Sequence, residues 1–421
     1  MADAATAKIG RPLRFVVLCP HFAPDIAPTG RVMTQLVEQW AALGHEIHVV
    51  TSLPWYRSHR VEPGWNGRLI RRETTTWGSV IRVHPLTSAN KSNLVARAVA
   101  FVIFSLMAGF CAATITRKRV DAVIAMSPPL TLGTVGWLAA RVRRTRLVFN
   151  VQDIFPDAVV RTGAITNRFV ISFASWLERF TYRRSHAVVV LSDDLCANVR
   201  AKLSVSRAST VHVVPNFVDT VGITPRDRLT PYRTELGLGT EPVVMYAGNV
   251  GYSQGLEALV EVARRNSNIS FVVNGDGAAL ADLRAQAAGL ANVRFSGYQP
   301  DDRLAEVLAT ADVQVVSLRA GLAAVSVPSK VYSILAAGRS VVAVVDRESE
   351  IDRLVTSAGA GIVVAPGDID AFDAAIRTLA LDPTRRHACG VAGRAFIERH
   401  PSARDVALAY ANIVADSMKR S

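Results

Sequence analysis

The sequence predicts an α/β protein made of two doubly wound domains in tandem. Three observations point there: short, almost continuous apolar runs, amphipathic stretches between them, and a restart of the same alternation past residue 216. Strands that are apolar on both faces belong to a parallel sheet covered by helices on either side. The chain has 421 residues, 50% apolar and 20% charged, the balance of a globular protein and more length than one core usually supports. Its 27 Gly and 19 Pro exclude collagen-like and low-complexity classes.

The first apolar run, at 14–19, predicts a strand; an amphipathic helix over 29–43 follows and ends at Gly44. Further strands are expected at 46–52, 80–85, 121–126, 146–151, 187–192 and 210–215, with helices over 131–143, 166–184 and 193–203. Residues 55–77 are polar and weakly periodic and read as a long loop or small excursion. A linker at 216–241 precedes strands at 242–247, 269–275, 293–297, 313–318, 340–345 and 361–365. Helices alternate with them, near 255–265, 278–288, 301–309, 329–337 and 349–357, and helical pattern continues from 368 onward. The expected domains are therefore 1–215 and 216–390, with C-terminal helices at 391–421 packing back on the first. Two such Rossmann-like domains place a ligand at the carboxyl ends of their strands, in a central cleft.

The formal net charge of +13 is not evenly spread. Residues 1–215 hold 27 Lys+Arg against 12 Asp+Glu, a surplus of 15, while residues 216–421 hold 21 against 23. A surplus confined to one domain suggests a partner with phosphates. No Arg/Lys run is interleaved with aromatics, which argues against nucleic acid and leaves anionic lipid or a polyanionic substrate. In the same half, residues 98–116 read AVAFVIFSLMAGFCAATIT without a charge, flanked by Arg97 and by Arg117-Lys118-Arg119. Buried, monotopic and spanning helices all remain open for it. The start, MADAATAKIGRPLRF, has no secretory pattern. Cys19, Cys111, Cys196 and Cys389 are scattered, with no metal spacing, so reduced thiols and a cytoplasmic setting are expected.

Several loops at expected strand ends carry chemistry. PHFAPDIAPTGRV leads into a helix at Gly30, where a glycine admits a ligand's phosphate or sugar; His21 precedes it either as a site residue or as a plain loop histidine. There is no G-x-G-x-x-G, so a dinucleotide is poorly supported. NVQDIFPD places Asp153 just past a strand, able to accept from sugar hydroxyls, to take a proton, or merely to cap a short helix. In the second half, YAGNVGYSQGLE offers Gly248 and Gly251 before a helix start. VPSKVYSILAAG puts Pro328, Ser329 and Lys330 at another. A cation there opposes the helix dipole and costs stability unless an anion is bound, which points to a diphosphate.

Taken together, YAGNVGYSQGLE, NGDG, SGYQPDDRLAEVLATADV, VPSKVYSILAAGRSVVA and SAGAGIVV resemble the donor domain of glycosyltransferase family 4. HFAPDIAPTGRV and NVQDIFPDAVV extend the resemblance to most of the chain, closest to the branch of colanic-acid and O-antigen transferases that includes an L-fucosamine transferase. The resemblance implies the GT-B fold, retention of anomeric configuration, and no metal or cofactor beyond a nucleotide-sugar co-substrate. It implies that Gly248, Asn249, Gln254, Ser329 and Lys330 surround the donor diphosphate, with Tyr332 and Ser333 on the same helix. Gly297 and Tyr298 would face the base, and residues 320–326 the donor sugar. Asp153 and the Gly30 loop would meet the sugar from the opposite wall, with Asp153 and Lys330 as the catalytic pair.

The chain departs from that family pattern at two places. Asn249 and Gln254 stand where many members have Arg and Lys, leaving Lys330, helped by Arg319, to carry the charge. Val325 and Ser333 replace a Glu-x7-Glu pair, so Glu350 becomes the substitute carboxylate for the ribose. The expected activity is transfer from a nucleotide sugar, UDP-linked first of all, with an N-acetylhexosamine or deoxyhexosamine among the candidates. The acceptor would be lipid-linked, on the inner face of the cell membrane, in polysaccharide or glycolipid assembly. A soluble acceptor, a UDP-sugar 2-epimerase of the same fold, and a non-catalytic membrane scaffold are the alternatives.

Overall fold

Two sheets, each wound outward from one strand, organise the chain. The computed structural model describes residues 11–56, 60–86, 94–163 and 165–419, with backbone alone at 94–98. Residues 1–10 of the N-terminal stretch read above for a secretory signal, and the side chain of Arg97, lie outside that range. The chain divides into one unit formed by 1–216 and 401–421 and another formed by 217–400.

In the first unit the elements run β1 (Arg14–Leu18), α1 (Pro28–Ala42), β2 (Glu46–Ser52), β3 (Ile70–Thr75), β4 (Gly78–Val83) and α2 (Leu94–Thr114). They continue as β5 (Ala122–Ser127), α3 (Thr131–Val142), β6 (Arg146–Val151), α4 (Arg168–Arg184), β7 (Ala187–Val190), α5 (Asp193–Ala201) and β8 (Val211–Val213). The sheet order is β3-β4-β2-β1-β5-β6-β7-β8. β1 pairs parallel with β2 on one side (Phe15 opposite Ile47) and with β5 on the other (Phe15 opposite Ala122), so the winding reverses between β1 and β5. Only β3 runs antiparallel, hairpinned to β4 across Trp77, where the sequence suggested a loop or excursion. Its IRRETT side chains are partly or fully exposed at a sheet edge, so no apolar period marks it.

The second unit contains β9 (Val243–Ala247), α6 (Glu257–Arg265), β10 (Ser270–Asn274), α7 (Leu280–Gln286), β11 (Val293–Ser296), α8 (Leu304–Thr310) and β12 (Val313–Ser317). α9 (Lys330–Ala336), β13 (Ser340–Val344), α10 (Glu350–Ala358), β14 (Gly361–Val364), α11 (Ile369–Leu381) and α12 (Pro383–Ile397) complete it. All six strands are parallel, in the order β11-β10-β9-β12-β13-β14, and the winding reverses between β9 and β12. Its core gathers Tyr246, Leu259, Phe271, Val315, Val342 and Ile376 between sheet and helices.

The C-terminal region parts at Pro401, and not near 391 as the helical pattern suggested. α12 stays with the second unit because Gly390 lets its backbone approach Gly338 and because Arg394 donates to the carbonyls of Ala336 (2.6 Å) and Ile223 (2.7 Å). The last helix, α13 (Ala403–Lys419), belongs to the first unit. There Trp40 Nε1 donates to the Ala407 carbonyl (2.9 Å), Arg146 to that of Ser417 (2.8 Å), and Asn150 Nδ2 to the Tyr410 hydroxyl (2.6 Å).

The Asn150–Tyr410 bond is fully buried. Removing its acceptor in Tyr410→Phe leaves an amide donor unsatisfied in the core, a cost of about 1–3 kcal/mol. Urea unfolding of the full chain should show that loss as a lower midpoint with an unchanged slope; an unshifted midpoint would mean Asn150 finds another acceptor.

Candidate functional site

In a doubly wound sheet the crevice lies at the carboxyl ends of the strands where the winding reverses, because neighbouring loops there diverge to opposite faces. In the second unit that point is β9/β12, followed by residues 248–256 and 318–329. Sequence singled out Gly248, Asn249, Gln254, Arg319, Ser329 and Lys330, and all of them lie on these two loops or at the first turn of α9.

Lys330 is the unusual member. Part of its stem is exposed, yet the ammonium nitrogen is sealed from solvent and has no hydrogen-bond partner among the described residues. It sits 3.5 Å from the ring centroid of Tyr246, a cation–π contact. Burial drives its pKa well below the ordinary lysine value, with no charged neighbour to offset the desolvation. Gly248 makes room for it. A Cβ there would lie 2.9 Å from Nζ, and the backbone φ of +138° disfavours any side chain. Tyr246 is itself held in place by donating to the Asn249 carbonyl (2.6 Å).

The other sequence candidates divide by what occupies them. Gln254 accepts from the Gly251 N–H (3.0 Å), closing its own turn, and Asn249 is exposed beside it. Arg319 donates to the Tyr252 carbonyl (2.6 Å) and pairs with Glu257 (2.5 Å), tying the loop after β12 to the loop after β9. Its charge is therefore already shared, unlike that of Lys330. Ser329 is exposed at the start of α9 and makes no side-chain cap. Ser333 is half-buried one turn on, and Gly297 and Tyr298 are exposed after β11, where the Tyr298 hydroxyl lies 3.3 Å from the Asp276 carbonyl that accepts from it.

Tyr332 is buried, packed on His400 with ring centroids 5.2 Å apart, and its hydroxyl has no hydrogen-bond partner among the described residues. Burial first, and the nearby charge of Glu350 second, push that hydroxyl's pKa up. Glu350 opens α10, pairs with Arg353 (3.0 Å), and lines a small crevice with Leu318, Ala323, Ser326, Val327 and Pro328. The expected ribose carboxylate thus stands beside the loop expected to meet the sugar. Asp346, which sequence reading missed, shapes that loop by accepting from the Gly321 N–H (2.8 Å). Only its place one residue past an apolar strand could have flagged it.

In the first unit the β1/β5 reversal is bordered by residues 19–27. Gly30 is spent on packing: a Cβ there would lie 2.8 Å from the Cβ of His21, so the space belongs to the chain's own loop. His21 is buried, donates to Asp25 (2.6 Å), and lies against Trp55 and Tyr56. Arg82, donating to the Ala23 carbonyl (2.6 Å), fastens the same loop, which nothing in the sequence announced. Past β6, Gln152 is buried and donates to Asn150 (2.8 Å), whereas Asp153 is half-buried. Asp153 caps no helix, since the next one starts after Pro156.

Among the described residues no group of three or more His, Cys, Asp or Glu could hold a metal ion. No described helix is long and apolar enough to cross a membrane.

Tandem doubly wound units with a lysine and glycine-lined loops at the reversal point are the build of a two-domain group-transfer enzyme. A 4-like glycosyl transferase domain matches residues 29–216, and a group 1 glycosyl transferase domain matches 231–396. The chain belongs to glycosyltransferase family 4. It is 27% identical over 386 residues to the putative colanic acid biosynthesis glycosyl transferase WcaI of Escherichia coli, covering 88% of this chain and 93% of that one. Sucrose-phosphate synthase of Thermosynechococcus elongatus superposes with a TM-score of 0.76 at 20% identity, over 97% of this chain and 100% of that one. Anabaena HepE, solved with UDP and glucose, gives 0.70 at 15% identity, over 96% and 100%. The fold class is that of GT-B glycosyltransferases.

The buried lysine has a measurable consequence. The unfolded chain keeps Lys330 protonated up to about pH 10.4, while the folded chain, with its lowered pKa, binds that proton less readily. The unfolded state therefore binds more protons, and this group's effect is to make stability rise with pH. Lys330→Met should raise the stability of the unliganded protein by about 1–3 kcal/mol at neutral pH. The advantage should close as pH passes the unfolded lysine value. Melting curves of both proteins from neutral to alkaline pH check it; a variant less stable at neutral pH would show that the ammonium is satisfied where it sits.

Proposed function

We propose that the protein transfers a sugar, with retention of anomeric configuration, from a nucleoside-diphosphate sugar to a lipid-linked acceptor. The setting is the inner face of the cell membrane, in polysaccharide or glycolipid assembly. One observation carries the reading: the sealed, unpaired ammonium of Lys330 over Tyr246, at the winding reversal of the second sheet. A lysine nitrogen kept without a counter-ion beside the Gly248 backbone would gain one on turning toward a donor diphosphate. Stabilising the charge that develops on a departing diphosphate is the main catalytic task in such a transfer. Glu350 stands for the ribose, Tyr298 for the base, and residues 320–326 for the donor sugar. The first unit takes the acceptor, and Asp153 is its candidate catalytic carboxylate. The relative named for colanic acid biosynthesis supports a surface-polysaccharide setting, and the UDP and glucose of HepE support UDP as the first nucleotide to try.

Pairing with diphosphate opposes the desolvation that lowers the pKa of Lys330, so donor binding favours proton uptake at this group. Calorimetry of UDP binding in two buffers of different ionisation enthalpy should show that uptake in the wild type and lose it in Lys330→Met. Affinity should tighten as pH falls.

Turnover gives the direct test. A thermal-shift screen of UDP- and GDP-sugars selects the donor, and transfer is then assayed on a polyprenyl-diphosphate-linked sugar. Lys330→Ala should lower kcat by roughly 10²–10³-fold, the scale of losing one charge-stabilising donor, with the fold intact. Near-wild-type turnover would remove Lys330 from the mechanism. Epimerisation of the donor sugar without any acceptor would replace the transferase by an epimerase.

A further inference from the structure

We propose that helices α2, α3 and α4 of the first unit form one bilayer-docking face, which inserts an aromatic ridge of α4 into an anionic leaflet. This face belongs to the first unit and does not depend on how the donor site is read. The three helices are crossovers between parallel strands, so they run in the same direction, and their side chains lock them into one layer. Ser105 bonds Thr131 (2.7 Å), Thr134 bonds Thr181 (3.1 Å), and Trp137 meets Phe180 edge-on at 5.1 Å. Arg143 ties the layer's end by donating to the carbonyls of Ala112 (2.7 Å) and Thr116 (2.8 Å).

The outer surface of this layer is apolar where a solvated face should be polar. On α4, Phe169 is 87% exposed, and Phe173 and Trp176 follow at helical spacing. Trp176 stacks on Phe173 (5.9 Å) and on Phe180 (5.5 Å), making a continuous ridge that begins in solvent and ends against α3. On α2, Phe104, Ala108 and Cys111 are buried while Val102, Leu106 and Phe110 are exposed. The uncharged 98–116 segment is thus half core and half surface. Leu138 and Val142 of α3 are exposed as well. An unpartnered apolar surface spread over three helices marks an interaction site.

Charge selects the partner. The three helices and the residues just past them contain one carboxylate, Glu178, which is buried and paired with Lys202 (2.7 Å). Cations gather instead at the three parallel C-terminal ends: Arg117 and Arg119 after α2, Arg141 and Arg144 at α3, Arg183 at α4. All five are exposed and make no ion pair among the described residues. Helix dipoles favour cations at those ends, but they do not explain the absence of any exposed acid on the whole layer. Aromatic and aliphatic side chains beside a basic margin, in which Lys118 is paired with Glu46 (3.3 Å), match an acyl boundary beneath anionic headgroups.

The test is co-sedimentation of the full chain with vesicles of phosphatidylcholine alone or of phosphatidylcholine with phosphatidylglycerol. The wild type should bind the mixed vesicles at low salt and release at about 1 M NaCl, where screening reaches about 3 Å. The triple variant Phe169→Ser, Phe173→Ser, Trp176→Ser should lose at least roughly tenfold in binding while keeping its melting curve. Each of Arg141→Gln, Arg144→Gln and Arg183→Gln should cost about fivefold. Binding that ignores the triple variant, or no binding at low salt, overturns the proposal. A wild type that is dimeric without lipid, and monomeric in the triple variant, would assign the face to a second copy of the chain instead.

Discussion

Parallel strands impose a geometry from which most of this protein follows. A parallel sheet must be crossed by helices, and a sheet wound both ways from one strand must open at its carboxyl edge where the winding reverses. In the second unit that edge receives the two longest strand-end loops, residues 248–256 and 318–329. The β9/β12 reversal sets the loop of Gly248 against the helix start of Lys330; the β1/β5 reversal sets the His21 loop against α1. Chemistry is delivered to these edges by connectivity, before any particular side chain is chosen.

At the second edge the side chains then divide the labour unevenly. Arg319 is the more conspicuous cation, but it is half-exposed and its charge is committed to Glu257. Lys330 has no such commitment and lies instead against the aromatic face of Tyr246. With Asn249 and Gln254 neutral, Arg319 and Lys330 are the cations of these two loops and the helix start beside them. One buried lysine is a costlier device than two exposed arginines, and more sensitive to what occupies the site.

Much of this was legible in the sequence because parallel strands buried on both faces leave an apolar signature that needs no partner to read. Every strand of the second unit was visible that way, and Lys330 stood out because a cation at a helix start conflicts with the dipole. What stayed hidden obeys other physics. The β3 strand is an edge strand with no apolar face. Gly30 and Gln254 looked like ligand residues, but glycine and glutamine serve close packing and turn closure equally well, and only three-dimensional neighbours tell these apart. The Arg82–Ala23 contact joins residues 59 apart in the chain, a pairing that no local pattern encodes. The pattern of the helical run after residue 368 puts its break near 391, whereas α12 and α13 part at Pro401 because they pack on different units.

That break has a consequence for how the protein comes into being. The first unit is discontinuous: its final helix is made only after the entire second unit has been synthesised. Until then Trp40 and Asn150 lack the partners that α13 supplies, and the first sheet has one apolar flank uncovered. The second unit is contiguous and can close as soon as it emerges. In vectorial synthesis the half made first is therefore the half completed last, which leaves it the longer exposed to chaperones, proteases and neighbouring surfaces.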